Sequence, residues 1–85
     1  MAKAARGRVN RIYSNKGGSY IRLTDSSHTL PKDDYFWLPL SHPNYQSVLA
    51  CCMAGQINKM SVQIRTEADI TPAEHADVQY VTLDS

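Results

Sequence analysis

The sequence predicts a mainly β fold, a five-stranded Greek-key barrel with one α-helix between strands 3 and 4. Three observations predict it. Short runs of alternating apolar and polar residues recur along the chain, the period of half-buried strands. One stretch alone carries the helical period, and a Gly-Gly turn follows the first strand where an α+β sandwich would need a helix. At 85 residues there is room for one modest core, so the chain is expected to be a single domain over 1–85, with 1–7 a flexible basic N-terminus.

The first two strands are expected at 9–14 and 19–24, joined by Asn15, Lys16, Gly17 and Gly18. Glycine reaches the positive φ that a tight connection needs. In the second strand Ile21 and Leu23 alternate with Tyr20, Arg22 and Thr24, which turns Ile21 and Leu23 toward the core. Residues 25–34 are rich in Ser, Asp, Lys and Thr and read as an exposed loop with Pro31 as a breaker. Residues 35–40 alternate again, Phe36, Leu38 and Leu40 on one side and Tyr35, Trp37 and Pro39 on the other. Pro39 cannot donate to a ladder, so this strand ends at an edge or a bulge.

The segment SHPNYQSVLACCMAG carries helix signals at both ends. Pro43 suits the first helical position with His42 or Ser41 as cap, and Gly55 suits the residue just past the end. Tyr45, Val48, Leu49, Cys52 and Met53 form an apolar stripe at the helical period; Ser47, Ala50, Cys51 and Ala54 form a face of small residues. A fourth strand is expected over 59–66 with Met60, Val62 and Ile64 inward, then a loop with a helical turn beginning at Pro72, then a fifth strand over 77–84.

Composition narrows the function. Hydrophobic residues make up 42% and charged residues 20% of the chain, values of a folding domain rather than a disordered one. No long apolar run marks a signal or a membrane span, and the adjacent Cys51 and Cys52 are poorly placed to bridge each other, so the protein is expected to be cytoplasmic with free thiols and without a membrane partner. His28, His42, His75, Cys51 and Cys52 offer no zinc-ligand spacing, and the two cysteines sit near a helix C-terminus, where the dipole opposes a thiolate. The expectation is a non-catalytic protein without metal or cofactor.

The net charge is only +1, yet Lys3, Arg6, Arg8, Arg11, Lys16 and Arg22 fall within the first 22 residues, which hold no acid, while the rest of the chain carries all eight acids against three basic residues. This asymmetry suits an anionic partner on one edge, or a basic edge that pairs with the acidic half or with a neighbouring subunit.

Strand order and helix position resemble the OB-fold from about Arg8 to Asp84. The segment NYQSVLACCMAGQINKMSVQIRT, followed by a loop and VQYVTL, also resembles the small B subunits of bacterial AB-type toxins in its helix and following strand. That resemblance implies a barrel that assembles into a homo-oligomeric ring, usually a pentamer, and binds glycans; without a signal peptide or the disulfide spacing of that group, a cytoplasmic relative that keeps the barrel and the ring is expected, and glycan is the less favoured ligand. In an OB barrel Tyr20, Arg22, Tyr35 and Trp37 share the outer face on which many OB domains stack bases, with Arg8, Arg11 and Lys16 on the adjoining strand and turn. These seven residues are the candidate ligand or subunit interface. Two functions remain open: an oligomeric binding or interaction module, or a protein that binds single-stranded nucleic acid.

Overall fold

A computed structural model describes residues 3–24 and 28–83. Five strands, β1 (Ala4–Asn15), β2 (Gly18–Thr24), β3 (Tyr35–Pro39), β4 (Ser61–Thr66) and β5 (Ala76–Leu83), close a barrel in the order β1-β2-β3-β5-β4, with one helix, α1 (Tyr45–Ile57), between β3 and β4. All neighbours are antiparallel except β3 and β5, whose parallel ladder holds two residue pairs, Phe36 with Ala76 and Trp37 with Asp77. The result is an OB-like Greek-key barrel. Among the described residues no helix is long and apolar enough to cross a membrane.

Alternation fills the interior. Ile21, Leu23, Phe36, Leu38, Val62 and Ile64 are all buried, as their strand phases predict. At about 25 cal/mol per Å² of apolar surface removed from water, such side chains are each worth roughly 1.5–3 kcal/mol. β1 starts earlier than expected: residues 4–7, expected to be flexible, pair with β4, Ala5 against Ile64 and Gly7 against Val62. Two bulges bend the sheet. In β1 the register slips between Val9 and Arg11, leaving Asn10 without an opposite number, and in β5 Gln79 is skipped between the partners of Thr66 and Arg65. An extra residue re-aims every side chain beyond it and tightens the local twist. Val9 is therefore buried before the β1 bulge, and beyond it Ile12 faces the core while Arg11 and Tyr13 face out.

Several loop and end positions depart from expectation. Leu40 follows the last residue of β3 and is 58% exposed, because the alternation stops where the strand does. Pro31, expected on an exposed loop, is buried; residues 25–27 of that loop lie outside the described set. Ile70, in the β4–β5 loop, joins the core, and no helical turn forms at Pro72, where the chain makes a simple turn. Asp84, expected in the last strand, lies outside the described residues.

α1 starts two residues later than expected, at Tyr45 rather than Pro43, and ends later, at Ile57. Asn44 is its N-cap residue, and Pro43 precedes the helix; the His42 side chain stands in for a cap by accepting the Asn44 N–H at Nδ1 (3.0 Å). That bond leaves Nε2 as the protonated nitrogen, which donates to the Gln79 carbonyl at the β5 bulge (2.8 Å). Val48, Cys52 and Gly55 are buried, Tyr45 and Leu49 pack at the margin, and Met53, expected in the core, is 46% exposed. Gly55 is inside the helix rather than past it. A Cβ there would lie 2.6 Å from Val62 Cγ1, so the glycine is what lets α1 approach β4.

The helix closes in a Schellman motif: Met60 N–H donates to Gly55 O (2.9 Å), Lys59 N–H to Gln56 O (3.3 Å), and Lys59 takes the left-handed position at φ 56°. A lysine there carries the Cβ penalty that glycine avoids. Lys59→Gly should therefore raise the unfolding free energy by about 0.5–1 kcal/mol, read as a higher urea midpoint at unchanged slope.

Candidate ligand face

The outer surface of β1, β2 and β3 gathers the aromatic residues around Tyr20. Register sets this directly. Tyr20 is opposite Tyr13 on β1 and opposite Trp37 on β3, and Arg22 is opposite Arg11 and Tyr35 in the same way. Cross-strand partners on one face have Cβ atoms close enough for ring contact. Accordingly the Tyr20 ring stacks on Tyr13 (centroids 6.1 Å, 17° between planes), tilts against Trp37 (4.5 Å), and meets Tyr35 (5.9 Å) and His75 (5.0 Å) edge-on. Offset and edge-to-face geometries are the favourable ones for aromatic quadrupoles.

His75 and Asp33 come from loops that the barrel brings to this face. Lys32 N–H donates to Glu74 O (3.0 Å), tying the single 3-10 turn Lys32–Asp34 to the end of the β4–β5 loop. His75 Nδ1 lies 3.4 Å from the Tyr35 carbonyl. Together Arg11, Tyr13, Tyr20, Asp33, Tyr35 and His75 line a shallow pocket of about 310 Å³. That is at the small end of the roughly 300–1,000 Å³ of ligand sites, room for one planar ring rather than an extended cofactor.

The β1–β2 side of the face carries a pair of like charges, of which Arg11 lines the pocket and Arg22 does not. Arg11 and Arg22 are direct cross-strand partners of like charge, an arrangement that costs a few tenths to about 1 kcal/mol. Among the described residues neither has an ion pair, and the Arg22 Nε is buried with no acceptor. An unsatisfied buried donor costs about 1–3 kcal/mol. Of the acidic half of the chain, Asp33 lines the pocket with Arg11 but forms no ion pair with it, while Glu67, Asp69, Glu74 and Asp77 line a second depression beside the β4–β5 loop.

Of the seven residues singled out in the sequence, the fold brings Arg11, Tyr20, Arg22, Tyr35 and Trp37 into one contiguous surface. Trp37 is beside the pocket rather than in its wall, its ring under the β1–β2 turn near Gly17. Arg8 is across the β1 bulge, opposite Thr24 and Ser61, and Lys16 is at the tip of the turn; neither lines the pocket. Tyr13, Asp33 and His75 were not singled out. Tyr13 had a usable signal: Val9 and Ile12 cannot both face inward in an unbroken strand, so a bulge between them had to turn Tyr13 outward. For Asp33 and His75 there was none, since loops 40 residues apart meet only through barrel closure.

The cysteines stand apart from this face. Cys52 is fully buried, and burial first, then the neighbouring Cys51, pushes its thiol from the ordinary 9.0 up to about 12. It stays protonated at neutral pH and is no nucleophile. Among the described residues no group of three or more His, Cys, Asp or Glu side chains is arranged to hold a metal ion. Compared with protein families, curated proteins and solved structures, the chain matches none.

Proposed function

We propose that the protein is a non-catalytic binding module that takes single-stranded nucleic acid on the Tyr20 face. The observation that carries this reading is the combination on one surface of four rings in contact with Tyr20 and a guanidinium pair, Arg11 and Arg22, that has no ion pair among the described residues. Bases stack on aromatic faces for roughly 1–3 kcal/mol each, in a sequence-tolerant way, and phosphates would relieve the like-charge pair. A neutral glycan would lay its C–H faces on the rings and offer the guanidinium pair hydroxyl acceptors but no negative charge, so charge favours the nucleic acid. The β2–β3 face and the β4–β5 loop are also where OB domains engage oligomers.

Binding of a labelled single-stranded hexamer by fluorescence anisotropy across a salt series tests the reading. With two phosphates held, log K should fall against log[salt] with a slope of about −1.4, and Arg11→Ser should make it shallower by about 0.7. Affinity indifferent to salt, or no saturable binding, would sink it.

Self-assembly has support on a different surface. Met53 and Ile57 lie one helical turn apart on α1, 46% and 75% exposed, with no element of the described chain over them. A homo-oligomer, including a pentameric ring of the toxin B-subunit kind, would bury this helix face and leave the Tyr20 face open to ligand. Light scattering of Ile57→Lys against the unaltered chain separates the two surfaces: assembly through α1 predicts a lower mass with oligonucleotide binding retained.

A further inference from the structure

Asp33 is an odd component of the Tyr20 pocket. It shares a lining otherwise made of rings, Arg11 and His75, and among the described residues its side chain has no hydrogen bond or ion pair. Its backbone is held in the left-handed region, φ 55°, and Asp34 follows at φ 66°. Such positions cost about 1 kcal/mol or more for a residue with a Cβ, and they persist where surrounding bonds enforce them. Here Asp34 N–H donates to Pro31 O (2.9 Å) and Lys32 N–H to Glu74 O (3.0 Å), while Pro31 is buried. The turn thus fixes the backbone of Asp33, an acid without a side-chain partner among the described residues, at a site sized for one base.

We propose that Asp33 makes this pocket selective for guanine. The inference rests on the reading of the face as a nucleobase-stacking surface and adds the base that it prefers. An ionised carboxylate only accepts hydrogen bonds, through two oxygens side by side. A base lying against Tyr13 and Tyr20 turns its Watson–Crick edge outward in the ring plane. Guanine presents two adjacent donors there, N1–H and the N2 amino group, which match the two oxygens as a bidentate, charge-assisted pair. Adenine and cytosine present one amino donor beside a ring nitrogen whose lone pair faces the second oxygen. In thymine and uracil the single N3–H is flanked by two carbonyl oxygens, both repelled. The same edge is offered by a guanine within a strand or by a free guanine nucleotide.

The test uses thymidine hexamers whose two central positions are guanine, hypoxanthine, adenine or cytosine, measured by anisotropy at one low salt concentration. Adenine controls for the stronger stacking of purines, and hypoxanthine removes only the N2 amino group. The guanine hexamer should bind about tenfold tighter than the adenine and cytosine ones, with hypoxanthine losing most of that margin. Asp33→Asn, which replaces one acceptor by a donor, and Asp33→Gly, which tolerates φ 55° and removes the side chain, should each flatten the series without loss of cooperative unfolding. Equal affinities for all four hexamers in the unaltered protein overturn the role of Asp33 and leave strand binding standing. If no hexamer binds, the strand reading has failed, and free guanosine monophosphate decides the inference: saturable binding of it but not of adenosine monophosphate upholds guanine selectivity, and binding of neither overturns it.

Discussion

Replacing Gly18 by alanine should lower the unfolding free energy by about 3 kcal/mol, a large share of the roughly 4–13 kcal/mol expected of a chain this long. Gly18 sits at φ 150°, outside the range of L side chains, at the first residue of β2. A Cβ there would lie 2.3 Å from the Leu38 carbonyl oxygen and 3.0 Å from both Leu40 N and Pro39 Cα. All three are backbone atoms of the chain end that Gly18 pairs with, and they cannot retreat: Leu38 is fully buried, and Leu40 N–H is bonded to Gly17 O (3.0 Å). Gly17 is the control. It has ordinary φ, and its added Cβ would meet the Asn15 side chain at 3.4 Å and the Trp37 ring at 3.6 Å, normal contacts. Urea denaturation should find Gly17→Ala within about 0.5 kcal/mol of the unaltered protein, and equal losses at 17 and 18 would contradict the close approach of β2 and β3 at this corner.

The second large effect concerns binding. Tyr20→Ala should weaken association with a single-stranded hexamer by about 10- to 100-fold, because the ring that orients Tyr13, Tyr35, Trp37 and His75 is removed along with its own stacking surface. Stability should drop by about 1 kcal/mol, the sum of modest cross-strand pairs, with the barrel intact. Tyr20→Phe should bind nearly as the parent does, since stacking needs the ring and not the hydroxyl. Tyr80 gives the comparison for a generic exposed aromatic: it is on β5, half exposed and outside the pocket, so Tyr80→Ala should leave affinity unchanged. A Tyr20→Ala protein that folds and binds normally would remove the face from consideration.

The parts of this architecture visible in the chain are those governed by local period. Ile21 and Leu23, Phe36 and Leu38, Val62 and Ile64 alternate without interruption, and each pair is buried where alternation puts it. The helix was legible as an element but less so in its facing, because Met53 and Ile57 are as apolar as Val48 and Leu49 and the sequence does not say which of them the barrel mouth covers. Gly55 shows the same limit: glycine near a helix end signals a stop or a close approach, and only the position of Val62 decides between them. For the candidate face, Tyr20, Arg22, Tyr35 and Trp37 followed from strand phase alone. Tyr13 was masked by the bulge at Asn10, and Asp33 and His75 depend on a contact between loops that no local pattern encodes.

The parallel joint between β3 and β5, only two residue pairs long, has a kinetic meaning. Every other strand neighbour is secured by five or more register pairs, whereas this joint holds segments 40 residues apart by two pairs alone. With the fewest ladder bonds to lose, it should be the first part of the barrel to open, read as the fastest amide exchange among the strand pairings. Tyr35 and His75 stand on its two sides and both meet the Tyr20 ring, so a ligand bound against all three would act as a latch that holds the joint closed.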